Sequence, residues 1–555
     1  MKVRKSKNGF SWLLLICLFM ASGLLKAQSA PPTLFFTDLV SGPSSGGEPV
    51  SGFAGAYVTI YGNSFGATQG SSTVTLNGSS CLRVVSWGVP WLWYQKIVVQ
   101  LGSTCSSGSL SVTTTSGASN NLPFTVTAGN IYFASPSGSD SNTGTSANPF
   151  QTITKCKNAV GPGGICYVEN GANDTGTENY SASVVLGTAC TNSSPCALVA
   201  YPGASSTIGN NSNTRGLLAC ANLNGCSNAA YWVVAGFTLQ GSQMGADIDG
   251  VSNHRLVGNV ITCPNVGDGT EAGCLQTEAG ANFVTMYGNE VKNVGAGGKL
   301  YHWVYLGADG HDLTFGWNSV HDANPSSGDG RGGCRGVQIY NGSGNSYNIS
   351  VHDNTVYNIR CDGLNPQSVD PTQGFVYIYN NVVYHVGTGP DPDGALANYA
   401  CLFLGGSGSG ALVYQNTFYD CGSRGGSSSG ILTPSISMTS YNNIAVAVGS
   451  EQYVSGTGSA SSLLGSKNLW SGAGSGPSQT SGNVNADPLF VSASSANFHL
   501  QSSSPAIGVG SILQLTPYDH DGLPRSNPPS IGAYEFQSGS ATKPNAPTII
   551  SIVVQ

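Results

Sequence analysis

Charge is scarce in this chain. Only 8% of its 555 residues are Asp, Glu, Lys or Arg, so the places where charged residues gather are where chemistry is possible. Asp329, Arg331 and Arg335 lie close together, and the stretch from Arg360 to Asp370 adds Asp362 and Asp370. Asp391 and Asp393 follow in a polar segment. Grouped carboxylates can hold a hard cation or move a proton, and a neighbouring arginine can neutralise an anion or close an ion pair. Lys299 and His302 precede the apolar stretch Trp303-Val-Tyr-Leu. The other histidines of interest, His321 and His352, are each followed by Asp, a pairing that suits a hydrogen-bonded corner. The histidines show no zinc-type triad spacing. Asp391-Pro-Asp-Gly reads as a turn.

These residues need elements that bring them together, and a recurring phrase supplies them. It reads Leu256-Val-Gly-Asn-Val-Ile, Met286-Tyr-Gly-Asn-Glu-Val, Phe315-Gly-Trp-Asn-Ser-Val and Val351-His-Asp-Asn-Thr-Val. It continues as Ile378-Tyr-Asn-Asn-Val-Val, Val413-Tyr-Gln-Asn-Thr-Phe and Ser440-Tyr-Asn-Asn-Ile-Ala. The steps from Asn259 to Asn443 are 30, 29, 36, 27, 35 and 27 residues, a period that marks a solenoid, propeller or array. Apolar residues alternate with period two inside each phrase, so the units are strands. A second strand-like stretch lies between phrases, as in Gly336-Val-Gln-Ile-Tyr and Cys401-Leu-Phe-Leu-Gly. Several short strands per unit describe a parallel β-helix, with an asparagine at the same corner of each coil forming an amide ladder. In this register Cys334 and Cys361 share an offset, and so do Arg335 and Asp362 one residue later. Coils stack about 4.8 Å apart, which puts the cysteines within disulfide range and makes an Arg335–Asp362 ion pair the plain alternative to a site.

Residues 131 to 536 on this pattern resemble right-handed parallel β-helix proteins, the architecture of pectate lyases and many other secreted polysaccharide-active proteins. The stretch from residue 131 to 168 resembles the opening segment of such proteins, with a short helix between Phe150 and Val160 covering the first coil. Asp487-Pro-Leu-Phe through Ile531-Gly-Ala-Tyr-Glu-Phe resembles their closing segment, to which Asp519, Asp521 and Arg525 belong structurally. Residues 449 to 485 read as a loop-rich last coil. The resemblance implies a lyase for a uronic-acid polymer. Asp329, Asp362 and Asp370 would hold Ca²⁺ against the substrate carboxylate, and Arg335, Arg331 or Lys299 would remove the proton, with His302 facing the groove. A hydrolase would use Asp329 and Asp362 as two acids flanking the bond. The signature clusters of the common pectate lyases are absent, so a non-catalytic carbohydrate-binding or adhesion protein stands beside the enzyme.

The segments before the coils add compartment and a second domain. Lys2, Arg4, Lys5 and Lys7 precede an apolar run from Trp12 to Ala21, so residues 1–30 read as an export signal and not as a membrane span. Fourteen cysteines remain after Cys17. They pair by proximity as Cys81 with Cys105, Cys156 with Cys166, Cys190 with Cys196, Cys220 with Cys226, Cys263 with Cys274, Cys334 with Cys361 and Cys401 with Cys421. Such pairing fits an oxidising, extracellular compartment. Twenty Lys and Arg against a net charge of −7 leave no basic face for nucleic acid. Residues 34–127 alternate as the strands of a small β-sandwich, and Gly62-Asn-Ser-Phe-Gly gives it a resemblance to IPT/TIG immunoglobulin-like domains. Trp91 and Trp93 would share one strand face and could stack on sugar rings, or else fill the sandwich core. The expectation is a secreted, monomeric, all-β protein: a sandwich (34–127), a β-helix (131–485), its closing segment (486–536) and a polar tail (537–555). Its partner would be an extracellular polysaccharide.

Overall fold

The computed structural model describes residues 30–187, 190–221, 228–266, 270–307, 310–328, 330–341, 344–389, 399–422, 430–455, 462–513 and 515–537. The expected export signal up to residue 29 and the tail from residue 538 lie outside these residues, as do Cys226, Asp329, Asp391 and Asp393.

Three long parallel sheets of twelve, eleven and ten strands form a parallel β-helix. Each regular coil contributes one strand to each sheet, for example Trp232–Ala235, Thr238–Gln240 and Met244–Asp249 before the next coil begins at Arg255–Val257. Like residues stack on like at the coil interior. One inward row of the twelve-stranded sheet runs Val234, Leu256, Met286, Phe315, Val351, Ile378 and Val413. Rows of this kind merge into one continuous apolar core, so each coil buries the face of its neighbour, which neither could bury alone.

The asparagine phrase forms the corner between the twelve- and eleven-stranded sheets. Each ladder asparagine from Asn259 to Asn443 donates Nδ2 to the Oδ1 of the next, at 2.8–3.1 Å. The residue just before each, including Trp317, Asp353, Gln415 and Lys467, takes φ between 51° and 65°. This left-handed turn swings the chain into the next sheet, and Asn, Asp and Gly tolerate it best. The ladder extends one rung beyond the repeated phrase, to Asn468. Residues 449–485 are correspondingly more regular than expected, with strands Gln452–Val454, Leu463–Ser466 and Leu469–Ser471 continuing all three sheets.

The helix at the head of the solenoid is shorter than predicted, Ile153–Ala159. Thr152 caps it by accepting from the Lys155 backbone N–H, and Ile153 and Cys156 seal the end of the core. Six of the seven expected disulfides form as read, with Cys334 and Cys361 Cα atoms 4.9 Å apart on adjacent coils. Cys220 is disulfide-bonded, and its expected partner Cys226 is outside the described residues.

An all-parallel sheet normally has both faces covered, and among the described residues the sandwich and the closing segment cover two of the three outer faces. The sandwich consists of a four-stranded antiparallel sheet (Thr33–Thr37, Phe53–Asn63, Tyr94–Gly102, Leu82–Trp91) against a five-stranded one. It packs on the twelve-stranded sheet, where Phe36 meets Tyr287 at 5.3 Å and Phe35 stacks on Trp317. The closing segment packs Phe490, Phe498 and Ile531 on Val382, Ile444 and Leu469 of the eleven-stranded sheet. Over the ten-stranded sheet the described residues build a small apolar patch at the first strands, around Leu218 and Cys220, and another around Cys334, Cys361 and Tyr399.

Candidate functional site

The outer face of the ten-stranded sheet carries a polar row in register: Asp247, Gln276, Tyr305, Gln338 and Asn365 on five consecutive coils. Asp249 and Glu278 form a parallel row beside it. Strand alternation explains the placement, because each lies next to an inward residue such as Leu275, Val304 or Val337. A groove of about 580 Å³ runs over this face. Its lining includes Gln276, Glu278, Tyr305, Gln338, Tyr340 and Gln367, with His302 and Arg335 nearer the strand starts and Glu271, Lys299 and Leu300 also lining it.

Carboxylates gather at one end. Asp247 is fully buried and pairs with Arg215 Nε at 2.6 Å through one oxygen, while its other oxygen, Oδ1, has no hydrogen-bond partner among the described residues. Burial pushes its pKa up to about 7 against the pull of Arg215, and the charges of Glu278 and Asp249 push the same way. Burial also raises Asp249 and Glu278, the latter further through the Asp249 charge. Like charges on adjacent strands disfavour simultaneous ionisation, so this cluster keeps a proton more readily than isolated carboxyls do.

At the other side stand the residues expected from sequence. His302 is fully buried, and burial together with the Arg335 charge holds its imidazole well below the ordinary value, in the neutral form. Its Nδ1 accepts the Arg335 backbone N–H at 3.3 Å, which leaves the proton on Nε2. Arg335 and Asp362 pair at 3.4 Å, as their shared offset implies. Arg335 also donates to Gln338 Oε1, so its guanidinium bridges the groove and the coil corner. Asp362 is fully buried; it accepts from Asn365 Nδ2 at 2.6 Å and from the Ala400 N–H at 2.9 Å. Burial raises its pKa to about 6 although Arg335 opposes the shift.

The remaining expected residues are dispersed. Arg331 donates to the Gly389 carbonyl and is not among the groove lining. Asp370 is held by its own loop, where hydrogen bonds from Thr372 and Gln373 lower its pKa to about 2. Among the described residues no three His, Cys, Asp or Glu side chains form a group suited to a metal ion, and Asp329, the third residue expected to hold Ca²⁺, is outside them. With Asp362 engaged by three donors and Asp370 by its loop, these two do not fit a shared calcium ion. Trp91 and Trp93 do not share a strand face and do not reach the groove. Leu92 between them turns left-handed at φ 48°, so the pair forms the tip of a hairpin in which Trp91 faces Tyr94. The tip packs on the β-helix and the closing segment: Trp91 donates to the Gly288 carbonyl and Trp93 to that of His520. Asp247, Asp249, Glu278 and Arg215 were missed from sequence because the ten-stranded sheet carries no repeated phrase. The available signal was Ala246-Asp-Ile-Asp, two acids at strand spacing in a chain with little charge.

No family model matches the chain, and no curated protein matches it. Among solved structures it is similar to the pectate lyase Pel9A, at 16% identity over 73% of this chain and 96% of that one, with a TM-score of 0.44. It is also similar to XylC in complex with xylose (10% identity, 73% and 98% covered, TM-score 0.43) and to an alginate lyase from Paenibacillus sp. str. FPU-7 (13%, 55% and 95%, 0.36). Likeness at this level carries no argument about activity, and the fold rests on the strand register itself. Among the described residues no helix is long and apolar enough to cross a membrane. The disulfides fit an oxidising compartment.

Proposed function

We propose that this protein binds an extracellular polysaccharide lengthwise in the groove over the ten-stranded sheet. One observation carries the reading: a groove of about 580 Å³ runs along the outer face of a parallel sheet whose amides, phenols and carboxylates form rows that advance one coil at a time. A polymer laid across the strands in the groove meets Gln276, Tyr305 and Gln338 in turn, at steps of about 4.8 Å. Tyr305 and Tyr340 supply flat rings with polar tips. The sandwich takes the role of an IPT/TIG-like spacer or binding module.

Cleavage of the bound chain is a second reading, favoured by Asp249 and Glu278. Neighbouring strands set their backbones at coil spacing, which suits the short carboxyl separation of a double-displacement hydrolase, roughly 5 Å. Their raised pKa values let one act as acid while the other is ionised. Arg335 and Lys299 give the groove cations that would neutralise a uronate in an elimination, with no step assigned to calcium.

The test is incubation of the secreted protein with a panel of neutral and uronic-acid polymers, scoring retention on the polymer, new reducing ends and the ultraviolet absorbance of an unsaturated product. Retention that Gln338→Ala weakens supports binding in the groove. Reducing ends lost in Glu278→Gln without a rise in absorbance support hydrolysis, and a rise lost in Arg335→Ala supports elimination. No retention of any polymer overturns the reading.

A further inference from the structure

A separate cavity of about 520 Å³ lies where three distant parts of the chain meet. The hairpin tip Pro90–Trp93 forms one wall, the outer face of the eleven-stranded sheet the second, and His499, Asp521 and Tyr534 of the closing segment the third. It belongs to a different sheet from the groove.

The lining combines flat rings with fixed polar groups. His321, Tyr357 and Tyr384 follow one another in register on successive coils. Their rings stack nearly parallel at 4.7 and 4.9 Å, with interplanar angles of 4° and 7°. Both indoles are half-buried and held by their N–H groups, Trp91 on the Gly288 carbonyl of the β-helix and Trp93 on the His520 carbonyl of the closing segment, and Trp93 stacks on His520 at 4.5 Å. Rings fixed in this way cost little ordering on binding. Around them, Glu290 pairs with Lys292 at 2.8 Å and with His321 at 3.2 Å, and His499 pairs with Asp521 at 2.7 Å. An interface that served only to dock the sandwich would close on its aromatic residues; this one leaves them bordering a space large enough for a small ligand.

We propose that this cleft is a second glycan site, which takes a short neutral oligosaccharide. The sugar's C–H faces pack on the indole and tyrosine rings, and its hydroxyls reach Glu290, Lys292 and Asp521. Lys292 and His321 are both engaged by Glu290, and His499 by Asp521, so a polyanion would have to displace these pairs. The site uses both covering domains of the β-helix, so an occupied cleft also holds the sandwich and the closing segment together.

The experiment is calorimetric titration of the full chain with cellohexaose, xylohexaose, mannohexaose and an oligogalacturonate of equal length. At least one neutral hexasaccharide is expected to bind with one site, more tightly than the oligogalacturonate. Trp93→Ala and Tyr357→Ala are expected to weaken it tenfold or more. Glu290→Gln, which keeps size and packing, is expected to weaken it severalfold with an unchanged circular dichroism spectrum and melting temperature. A saturating neutral hexasaccharide should leave retention on an acidic polymer unaltered, separating this site from the groove. The proposal is overturned if no neutral hexasaccharide binds, or if binding is indifferent to both Tyr357→Ala and Glu290→Gln.

Discussion

The asparagine ladder and the polar row of the ten-stranded sheet are built on the same geometry, one side chain per coil, yet they end in opposite states. Every ladder amide from Asn259 to Asn443 is buried and donates both to its neighbour and to a backbone carbonyl, as Asn354 does to Asn381 and to Phe315. The row beside the groove mixes Asp, Gln, Tyr and Asn, and leaves Asp247 Oδ1 and Asn365 Oδ1 without partners among the described residues. Identical residues satisfy one another and stabilise; unlike residues leave buried acceptors unmatched. A column of stacked polar side chains is therefore not a site by virtue of stacking.

The sharpest way to break this contrast is at the ladder. Asn354→Ala removes bonds to both neighbours and leaves Asn318 Nδ2 and the Phe315 carbonyl short of a partner. It should cost roughly 4 kcal/mol in denaturant unfolding; a loss below about 1 kcal/mol would contradict the structural role. Next in size is the disulfide on the groove side, Cys334–Cys361, which closes a separation of 27 residues. The double Ser variant should lose about 3.5 kcal/mol by the chain-entropy relation, measured in the same assay.

The row beside the groove should behave differently. Asp247 has a folded pKa of about 7 against 3.8 in the free chain, so the fold favours its protonated form. Its stabilising share is complete below pH 3.8 and is lost as pH rises through 7. Asp247→Asn should match the parent in melting temperature near pH 4 and gain on it by pH 8, by an amount on the order of 2 kcal/mol. The smallest effect on stability is expected at Tyr340, which is 38% exposed. Tyr340→Ala should change unfolding by less than about 0.5 kcal/mol and weaken polymer retention severalfold. Equal loss of stability in the Tyr340 and Asn354 variants would erase the distinction.

Much of this was legible in the sequence where a rule repeats at short range. The phrase around Asn354 marks a corner, a strand and a register at once, and that register led to Cys334 with Cys361 and to Arg335 with Asp362. The hairpin at Trp91 and Trp93 was misread because alternation describes a strand and is silent about a left-handed Leu92. Asp249 and Glu278 were not legible, because they are 29 residues apart in a sheet whose strands share no motif.

By itself, then, the sequence determined the coil period, the ladder and the local cross-links, all of which follow from which residue type can stack on the next coil. The tertiary structure alone decided which outer face carries the groove and what meets in the cleft. Trp93 and His520 touch across 427 residues. That contact depends on how the sandwich and the closing segment fold back over the solenoid, which no local periodicity encodes.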